Sequence, residues 1–260
     1  MEKGGAMDKI KRDEADSARL AQVSEYFRLR GVASVPRIDP HLERLLPPAP
    51  DAGVLDIGCG LCDTLRALGS SGYRRLKGID ISDEAVAAGK AFGVDVEKIT
   101  DIETYASRSR EKYDVVVLSH VLEHLEKPAV LGALSAVRER LLTDVGFVYI
   151  AVPNAMANTG CYWAYEDFTH TTLFTPGSIH YAVKAAGFGS AQFVDPSNLE
   201  LLGFSRRLTR RVFLKLYTVN RHFWNLVTES WYHTGLSGVP EIYGYEIRVV
   251  ARKPATAGLA

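Results

Sequence analysis

The chain has 260 residues, with 31 basic and 31 acidic side chains and therefore no formal net charge. This balance argues against a surface built to bind nucleic acid, which needs an excess of basic residues. Hydrophobic residues make up 47% of the chain, which is enough for the core of one large α/β domain with additions. We expect no membrane-spanning segment and no signal peptide, because no apolar run has the length or the flanking pattern.

An amphipathic helix is predicted near the N-terminus, over residues 14–30, from apolar side chains at helical spacing. Prolines at positions 47, 48 and 50 then mark a boundary. We therefore divide the chain into residues 1–50, a tail with a helix, and residues 51–260, the main domain.

The segment 54–65 combines a buried strand, a tight loop and the start of a helix. Gly58 and Gly60 allow the loop backbone to take positive φ angles and let a ligand approach closely. The helix that follows offers free N–H groups and a partial positive charge. This pattern predicts a nucleotide-like ligand above the carboxyl end of the first strand.

Three further strands follow in the first half of the chain. Residues 76–80 end in Asp80, 22 residues after Gly58, where a carboxylate suits hydrogen bonds to a ribose diol. Residues 94–99 form the third strand, and the β-branched run 113–120 is typical of a strand covered on both faces. Helix-length spacers between these strands imply a parallel sheet with right-handed crossovers.

The second half predicts two helices and three strands. Apolar spacing predicts a helix over residues 128–142, and Thr175 with Pro176 opens another helix that Gly187 ends. The strands are predicted at residues 146–152, 190–194 and 245–253.

Residues 196–243 are too long for a hairpin connection and are interpreted as an insertion. Apolar residues at helical spacing make plain structural helices the first interpretation. A cap over the active site, a homodimer face and contact with an anionic membrane surface stay open. These alternatives rest on basic and aromatic residues, namely Arg206, Arg207, Arg210, Arg211, Lys215, Trp224, Trp231 and Tyr232.

The cofactor class follows from the third position of the glycine motif. A dinucleotide enzyme would prefer glycine where this chain has Asp63, since an acid there would lie beside a pyrophosphate. A cofactor that carries a sulfonium and an ammonium group avoids that repulsion. In this order, the segments 54–65, 76–82 and 113–125 resemble class I S-adenosylmethionine-dependent methyltransferases, and the resemblance covers about residues 50–195.

The resemblance implies a Rossmann-like sheet of seven strands with a reversed last strand and helices on both faces. It implies S-adenosylmethionine as cofactor and S-adenosylhomocysteine as product. The helix at residues 14–30 would then close the pocket as a lid, although packing on the outside of the sheet explains it equally well.

The resemblance also assigns roles around the cofactor. Asp80 would bind the ribose hydroxyls, Asp101 and Ile102 would border the adenine, and the glycine loop would pass under the amino-acid portion. The full predicted set is Asp56, Gly58, Cys59, Gly60, Asp80, Ile81, Asp101, Ile102, Ser119 and His120.

Two short motifs could suggest a metal. Cys59 and Cys62 form a C-x-x-C pair, but there is no second pair for a tetrahedral zinc site, and three cysteines in all are typical of a reducing compartment. Residues 120–124 read H-x-x-E-H, the pattern of a zinc protease. Because that segment follows a buried strand where the resemblance already explains it, we expect no metal, and His124 either faces the acceptor or packs.

The acceptor loop is predicted at residues 154–170, after strand five. Its aromatic and polar side chains suit a sugar, and the segment 167–170 resembles a branch that includes sugar and polysaccharide O-methyltransferases. His170 is the predicted base, with Asp167 or Glu166 as its orienting partner, unless Asp167 and His170 form a bridge that only pins the loop. The predicted acceptor-binding residues are His124, Asn154, Tyr162 and Tyr165.

The sequence thus predicts a cytoplasmic O-methyltransferase, working in polysaccharide biosynthesis on a sugar hydroxyl of a surface polysaccharide or glycolipid at the inner membrane surface. The partner is a glycan or small-molecule acceptor and not a nucleic acid. The alternatives are a natural-product or quinone hydroxyl as acceptor, and a cofactor-binding module without turnover.

Overall fold

A computed structural model describes residues 36–157, 167–229 and 238–255. Seven strands form one sheet in the order β3-β2-β1-β4-β5-β7-β6. The strands are β1 (Gly53–Ile57), β2 (Arg75–Asp80), β3 (Val96–Lys98), β4 (Tyr113–Ser119), β5 (Leu142–Pro153), β6 (Ser190–Phe193) and β7 (Glu246–Arg252). The helices are α1 (Pro40–Leu45), α2 (Asp63–Ser70), α3 (Asp83–Phe92), α4 (Ile102–Arg108), α5 (Lys127–Ala136), α6 (Pro176–Ala185) and α7 (Phe204–Thr228).

Strand directions confirm the predicted sheet. β1 pairs in parallel with both β2 and β4, whereas β7 runs antiparallel to β5 and β6. The central strand β4 is buried on both faces, as its unbroken apolar run predicts. The chain passes from β1 to β2 and β3 on one side of β1 and then crosses to β4 on the other side. At this switch in direction, a crevice opens at the carboxyl ends of β1 and β4.

The helix predicted over residues 128–142 is shorter than expected. α5 ends at Ala136, and a π-helical turn from Val137 to Leu141 leads directly into β5. Leu142 already pairs with Tyr113 of β4, and the register shifts before Val115 pairs with Phe147. The apolar residues that suggested a longer helix are buried in this turn instead.

The segment just before β1 packs on the sheet. Leu42 of α1 is buried, and the Asp39 carboxylate accepts hydrogen bonds from the Tyr149 hydroxyl at 2.9 Å and from Arg248 Nε at 3.0 Å. These contacts join residues before the predicted boundary at residue 50 to β5 and β7. The predicted lid at residues 14–30 lies outside the described residues.

The predicted helical insertion before the last strand is confirmed as α7, a helix of 25 residues. β6 runs parallel to β5, so the chain leaves β6 at the carboxyl edge of the sheet. It returns to β7, which is reversed, at the same edge. Among the described residues, no helix combines the length and apolarity needed to cross a bilayer.

Candidate functional site

The loop after β1 takes a backbone path that depends on glycine. Gly58 and Gly60 have φ angles of +70° and +51°. A Cβ atom on Gly58 would lie 2.6 Å from Cγ2 of Val121, so no side chain fits there. The Gly58 N–H donates to the carbonyl of Ile79 at 2.8 Å, which ties the loop to the end of β2. The loop and the segment after β4 are therefore neighbours.

Asp80 holds this edge of the sheet together. One oxygen of its buried carboxylate accepts a hydrogen bond from the N–H of Gly60 at 2.9 Å, and the other accepts from the N–H of Ser82 at 2.9 Å. Each carboxylate oxygen can accept more than one hydrogen bond, so Asp80 keeps acceptor capacity for a ligand hydroxyl.

Asp56 adds a second buried acid beneath the same loop. Burial, together with the neighbouring charge of Asp80, raises the pKa of the Asp56 carboxyl to about 7. Two carboxyl groups in this position disfavour a phosphate and favour a cationic ligand, because a positive charge would offset their desolvation and mutual repulsion.

The other predicted cofactor residues lie at the same edge. Asp101 precedes α4 and caps it, since its Oδ1 accepts from the Thr104 N–H at 2.7 Å. Ile102 is buried beside it, while Ile81 and Ser119, at the ends of β2 and β4, are half-buried.

The two cysteines of the C-x-x-C pair are buried and free. The neighbouring Cys62 sulfur and burial both raise the pKa of the Cys59 thiol, so this thiol stays protonated. A Cβ on Gly78 would lie 2.7 Å from the Cys59 sulfur, which therefore packs against β2. Cys59 can offer a ligand its backbone, as predicted for this loop, but its side chain faces the core.

His120 is held by two carboxylates. Its Nδ1 lies 3.0 Å from Oε1 of Glu123, and its Nε2 lies 2.9 Å from Oε1 of Glu246. Burial opposes the charged ring, but these two hydrogen bonds outweigh it and raise the pKa of His120 to about 9. Both ring nitrogens of His120 thus bond to protein carboxylates. No local pattern in the sequence points to Glu246, which lies 126 residues further on.

The H-x-x-E-H motif does not form a helical pair of ligands. His120 has a φ of +56°, and only a single 3-10 turn, Leu122–His124, follows it. The two histidines of a zinc protease lie four residues apart on one helix face, which this geometry does not provide.

A second cluster forms where the segment after residue 166 meets this turn. The backbone N–H groups of Thr171 and Thr172 donate to the Glu123 carbonyl at 2.8 and 3.0 Å. These bonds place His170 Nε2 4.0 Å from Glu123 Oε1 and 3.9 Å from Asp167 Oδ2.

The rings of His124 and His170 stand 4.8 Å apart between centroids. The predicted base, its predicted partner Asp167 and the predicted acceptor residue His124 are thus brought together.

Thr169 fixes the tautomer of His124. Its hydroxyl donates its single proton to Asp167 Oδ1 at 2.5 Å, and its oxygen lies 2.8 Å from His124 Nδ1. The Thr169 oxygen must therefore accept a hydrogen bond from His124 Nδ1–H, which leaves the lone pair on Nε2. Burial lowers the pKa of His124, so the ring is neutral at neutral pH.

Asn154 has a different environment from the one predicted. Its buried amide donates to the carbonyls of Ile242 at 2.9 Å and Gly244 at 2.8 Å, and its oxygen accepts from the Met156 N–H. The side chain thus joins the end of β5 to the chain before β7. Tyr162 and Tyr165 lie outside the described residues.

Comparisons with known proteins agree on the fold and the family. A family model described as a methyltransferase domain matches residues 32–191. The chain is similar to a ubiquinone biosynthesis O-methyltransferase from Burkholderia vietnamiensis, with 33% identity over 164 residues, 58% of this chain and 61% of that relative. A protein of the same name from Nitrosomonas europaea is 28% identical over 168 residues, 61% of this chain and 64% of that relative.

These matches span about three fifths of the relatives' length. Among solved structures, a SAM-dependent methyltransferase from Archaeoglobus fulgidus has a TM-score of 0.57 at 21% identity. The match covers 82% of this chain and 91% of that one. At this identity, the likeness concerns the fold alone.

Replacing Asp56 by asparagine should raise the free energy of unfolding at pH 8 much more than at pH 5, measured by urea denaturation of the ligand-free protein. The folded pKa, about 7, lies above the ordinary value of 3.8. The folded carboxyl therefore binds its proton more tightly, and its contribution to stability falls as pH rises from about 4 to 7.

Asp95→Asn, at an exposed acid beside β3, is the control and should change stability little at either pH. An equal effect of Asp56→Asn at both pH values would mean that this carboxyl is not desolvated.

Proposed function

We propose that this chain, which belongs to the methyltransferase domain family matched over more than half its length, transfers a methyl group to a hydroxyl oxygen of its acceptor. Enzymes of this class I family use S-adenosylmethionine and release S-adenosylhomocysteine. One observation carries the proposal: the side chain of Val121 lies against Gly58, so the glycine loop adjoins the segment that bears His120, Glu123 and His124. This proximity supports a single crevice for the proposed donor loop and the proposed acceptor cluster.

The residues of the crevice fit this cofactor. The acids Asp56 and Asp80 suit its sulfonium and ammonium charges, and Asp80 retains acceptor capacity for the ribose hydroxyls. The open backbone at Gly58 and Gly60 lets the amino-acid portion approach closely. We assign the adenine border to Asp101 and Ile102.

The rest of the wall is assigned to the loop and to the end of β4. These residues are Cys59, Ile81, Ser119 and His120.

When bound, the cofactor supplies a methyl carbon attached to a good leaving group. The chain therefore has two tasks, to align the acceptor oxygen with that carbon and to help the oxygen lose its proton.

We assign acceptor activation to the cluster of Glu123, His124, Asp167 and His170. His170, with Asp167 beside it, is the residue that sequence reasoning proposed as the base. The geometry adds His124, because its neutral ring carries its lone pair on Nε2 and is oriented by Thr169. A hydroxyl within reach of these two rings would be polarised and deprotonated. Asn154 is left out, since its amide already bonds to backbone.

For the acceptor, we propose a hydroxyl on a quinone-type ring. The curated relatives carry ubiquinone biosynthesis in their names, and this supports the quinone alternative over the sugar that the acceptor loop suggested. A histidine cluster suits the weakly acidic hydroxyl of such a ring, which needs only a modest base to ionise.

α7 supports an apolar acceptor that resides in a membrane. The helix has no buried residue, and its apolar stripe points away from the described body of the protein. The stripe is exposed along its whole length, at Phe204, Leu208, Val212, Leu216, Val219, Phe223 and Leu226. The opposite face contacts the protein, since Arg221 pairs with Glu241 and Tyr217 packs on Tyr243.

Charge supports a lipid surface as the partner that covers this stripe. The helix carries six arginine or lysine residues and no acid. Two copies packed stripe to stripe would bring these like charges together, which disfavours a homodimer through α7. An apolar face flanked by basic residues complements an anionic lipid surface, so we propose peripheral contact with such a membrane.

Asp80→Asn should weaken binding of S-adenosylmethionine at least tenfold, measured by titration calorimetry. It removes a charged acceptor of ribose hydrogen bonds, which contribute roughly 1.5–3 kcal/mol each. Asp95→Asn is the matched control and should bind normally.

Because Asp80 also holds Gly60, a second comparison separates the two roles. A 2′-deoxyribose analogue of S-adenosylhomocysteine should lose affinity for the wild-type protein but not for Asp80→Asn. Equal losses in both proteins would remove the ribose assignment.

His170→Gln and His124→Gln should each slow methyl transfer by about 10²–10⁴-fold, because a positioned proton acceptor supplies that much. Cofactor affinity should stay within twofold of wild type, and His222→Gln, on exposed α7, should behave as wild type. Production of S-adenosylhomocysteine is the readout.

The assay uses a dihydroxybenzene and a methyl glycoside in parallel. Methylation of the glycoside alone would restore the sugar interpretation. Normal turnover in both cluster variants would leave His124 and His170 with a purely structural role.

Replacing Arg206, Arg211 and Lys215 together by glutamine should weaken binding to vesicles that contain phosphatidylglycerol by about tenfold or more. Each basic residue near such a surface contributes about 1 kcal/mol. Arg207 is kept, because its guanidinium bonds to the carbonyls of Leu199 and Glu200. Co-sedimentation with the vesicles measures the binding.

The control replaces three exposed basic residues elsewhere, Lys90, Arg110 and Lys112, and thus makes the same change in charge. Equal losses in both triple variants would show that only net charge matters. A stable dimer that buries α7 in solution would refute the membrane assignment.

A further inference from the structure

We propose that Glu123, His124 and His170 form a site for one divalent transition-metal cation of the zinc type, with Asp167 beside it. One potential ligand atom from each of the three residues lies within 4.8 Å of the other two. Two imidazole nitrogens and one carboxylate oxygen are a ligand set of catalytic zinc sites, which leave a fourth position for a substrate or water. The inference rests on the proposed function, because it specifies how this cluster would activate the acceptor oxygen.

The Glu123 carboxylate provides the first independent support. Its side chain is 1% exposed, and His120 bonds to Oε1. The other oxygen, Oε2, is buried and has no hydrogen-bond partner among the residues that the structure describes. Leaving a buried carboxylate oxygen unsatisfied is costly, and a cation would satisfy it.

The ligand orientation provides the second support. Histidines that bind metals usually donate their other N–H to a carboxylate, carbonyl or similar group, which fixes the ring and directs its free lone pair at the metal. His124 has this arrangement, since its Nδ1–H donates to Thr169, which in turn donates to Asp167. Glu123 is oriented in a similar way by His120, which Glu246 holds from the other side.

The ligand atoms of the three residues, which lie within 4.8 Å of one another, must move closer together to bind a cation. His170 Nε2 lies 4.0 Å from Glu123 Oε1 and 3.9 Å from Asp167 Oδ2. Tetrahedral zinc, with bonds of about 2.0–2.1 Å, holds its ligand atoms about 3.3 Å apart. Side-chain rotations would supply this difference, since the ligands come from two separate segments, the turn after β4 and the loop before α6.

This site differs from both metal motifs of the sequence. His120 is not a ligand, because both its ring nitrogens bond to carboxylates. The second histidine is instead His170, from a distant segment. An acceptor hydroxyl in the open position would lose its proton more readily than free in water, because a bound cation lowers the pKa of its oxygen ligand. The Nε2 lone pair of His124 would then coordinate the cation.

The test is zinc binding by the full chain after treatment with a chelator, without cofactor or acceptor. Competition with a chromophoric chelator should give one Zn²⁺ per chain. The double variant His124→Gln/His170→Gln should bind at least a hundredfold more weakly, and Glu123→Gln at least tenfold more weakly. His222→Gln should stay within twofold of wild type, and normal S-adenosylmethionine binding shows that the variants are folded.

Undiminished zinc affinity in the double variant would overturn the proposal and point to Cys59 and Cys62. Co²⁺ in place of Zn²⁺ identifies that case, because thiolate ligation adds charge-transfer absorption. If the wild type transfers methyl groups but binds no zinc, and the cluster variants lose methyl transfer, the metal site is overturned and the proposed function stands. Zinc binding by the cluster, with no methyl transfer to any acceptor, supports the metal site and overturns the function.

Discussion

The hydrogen bonds of the Asp80 carboxylate are the constraint on which the cofactor edge depends. One oxygen fixes the glycine loop after β1 and the other fixes the turn into α3, whose first turn is capped by Ser82. The same charge lies close enough to Asp56 to help raise its pKa. A buried pair of acids under an open glycine loop is unfavourable in the absence of a positive charge. The electrostatics of this edge therefore favour the cationic cofactor that we propose for it.

Much of this edge could be predicted because its signals are local. An apolar run that ends in Asp56 and then Gly58 specifies a buried strand and a positive-φ loop within five residues. The acid at the end of β2 follows the same logic. The reversed last strand, by contrast, came from the family resemblance and not from any local pattern.

The acceptor side could be predicted only in part, because its geometry depends on contacts between distant segments. His170 and Asp167 stood out by residue type, but the orientation of His124 depends on Thr169, 45 residues away. Glu246 approaches His120 only because β7 runs antiparallel to β5. The H-x-x-E-H motif misleads for a related reason: it contains two of the three residues of the proposed metal site, Glu123 and His124, but both ring nitrogens of its first histidine, His120, bond to carboxylates. Distances across the sheet edge, and not spacing along the chain, select the cluster.

Strand reversal also explains where the insertion lies. In a sheet of parallel strands, the connection after β6 would have to cross to the opposite edge before the next strand could begin. Because β7 is reversed, the chain between β6 and β7 starts and ends at the carboxyl edge, which also carries the proposed acceptor cluster. α7 is thus anchored at the same edge as the proposed site, with its apolar stripe turned outward. If that stripe rests on a lipid surface, an acceptor dissolved in the membrane reaches the crevice without passing through water. The reversed strand β7 and the outward-facing apolar stripe of α7 would then act together, because both help an apolar acceptor to reach the polar cluster.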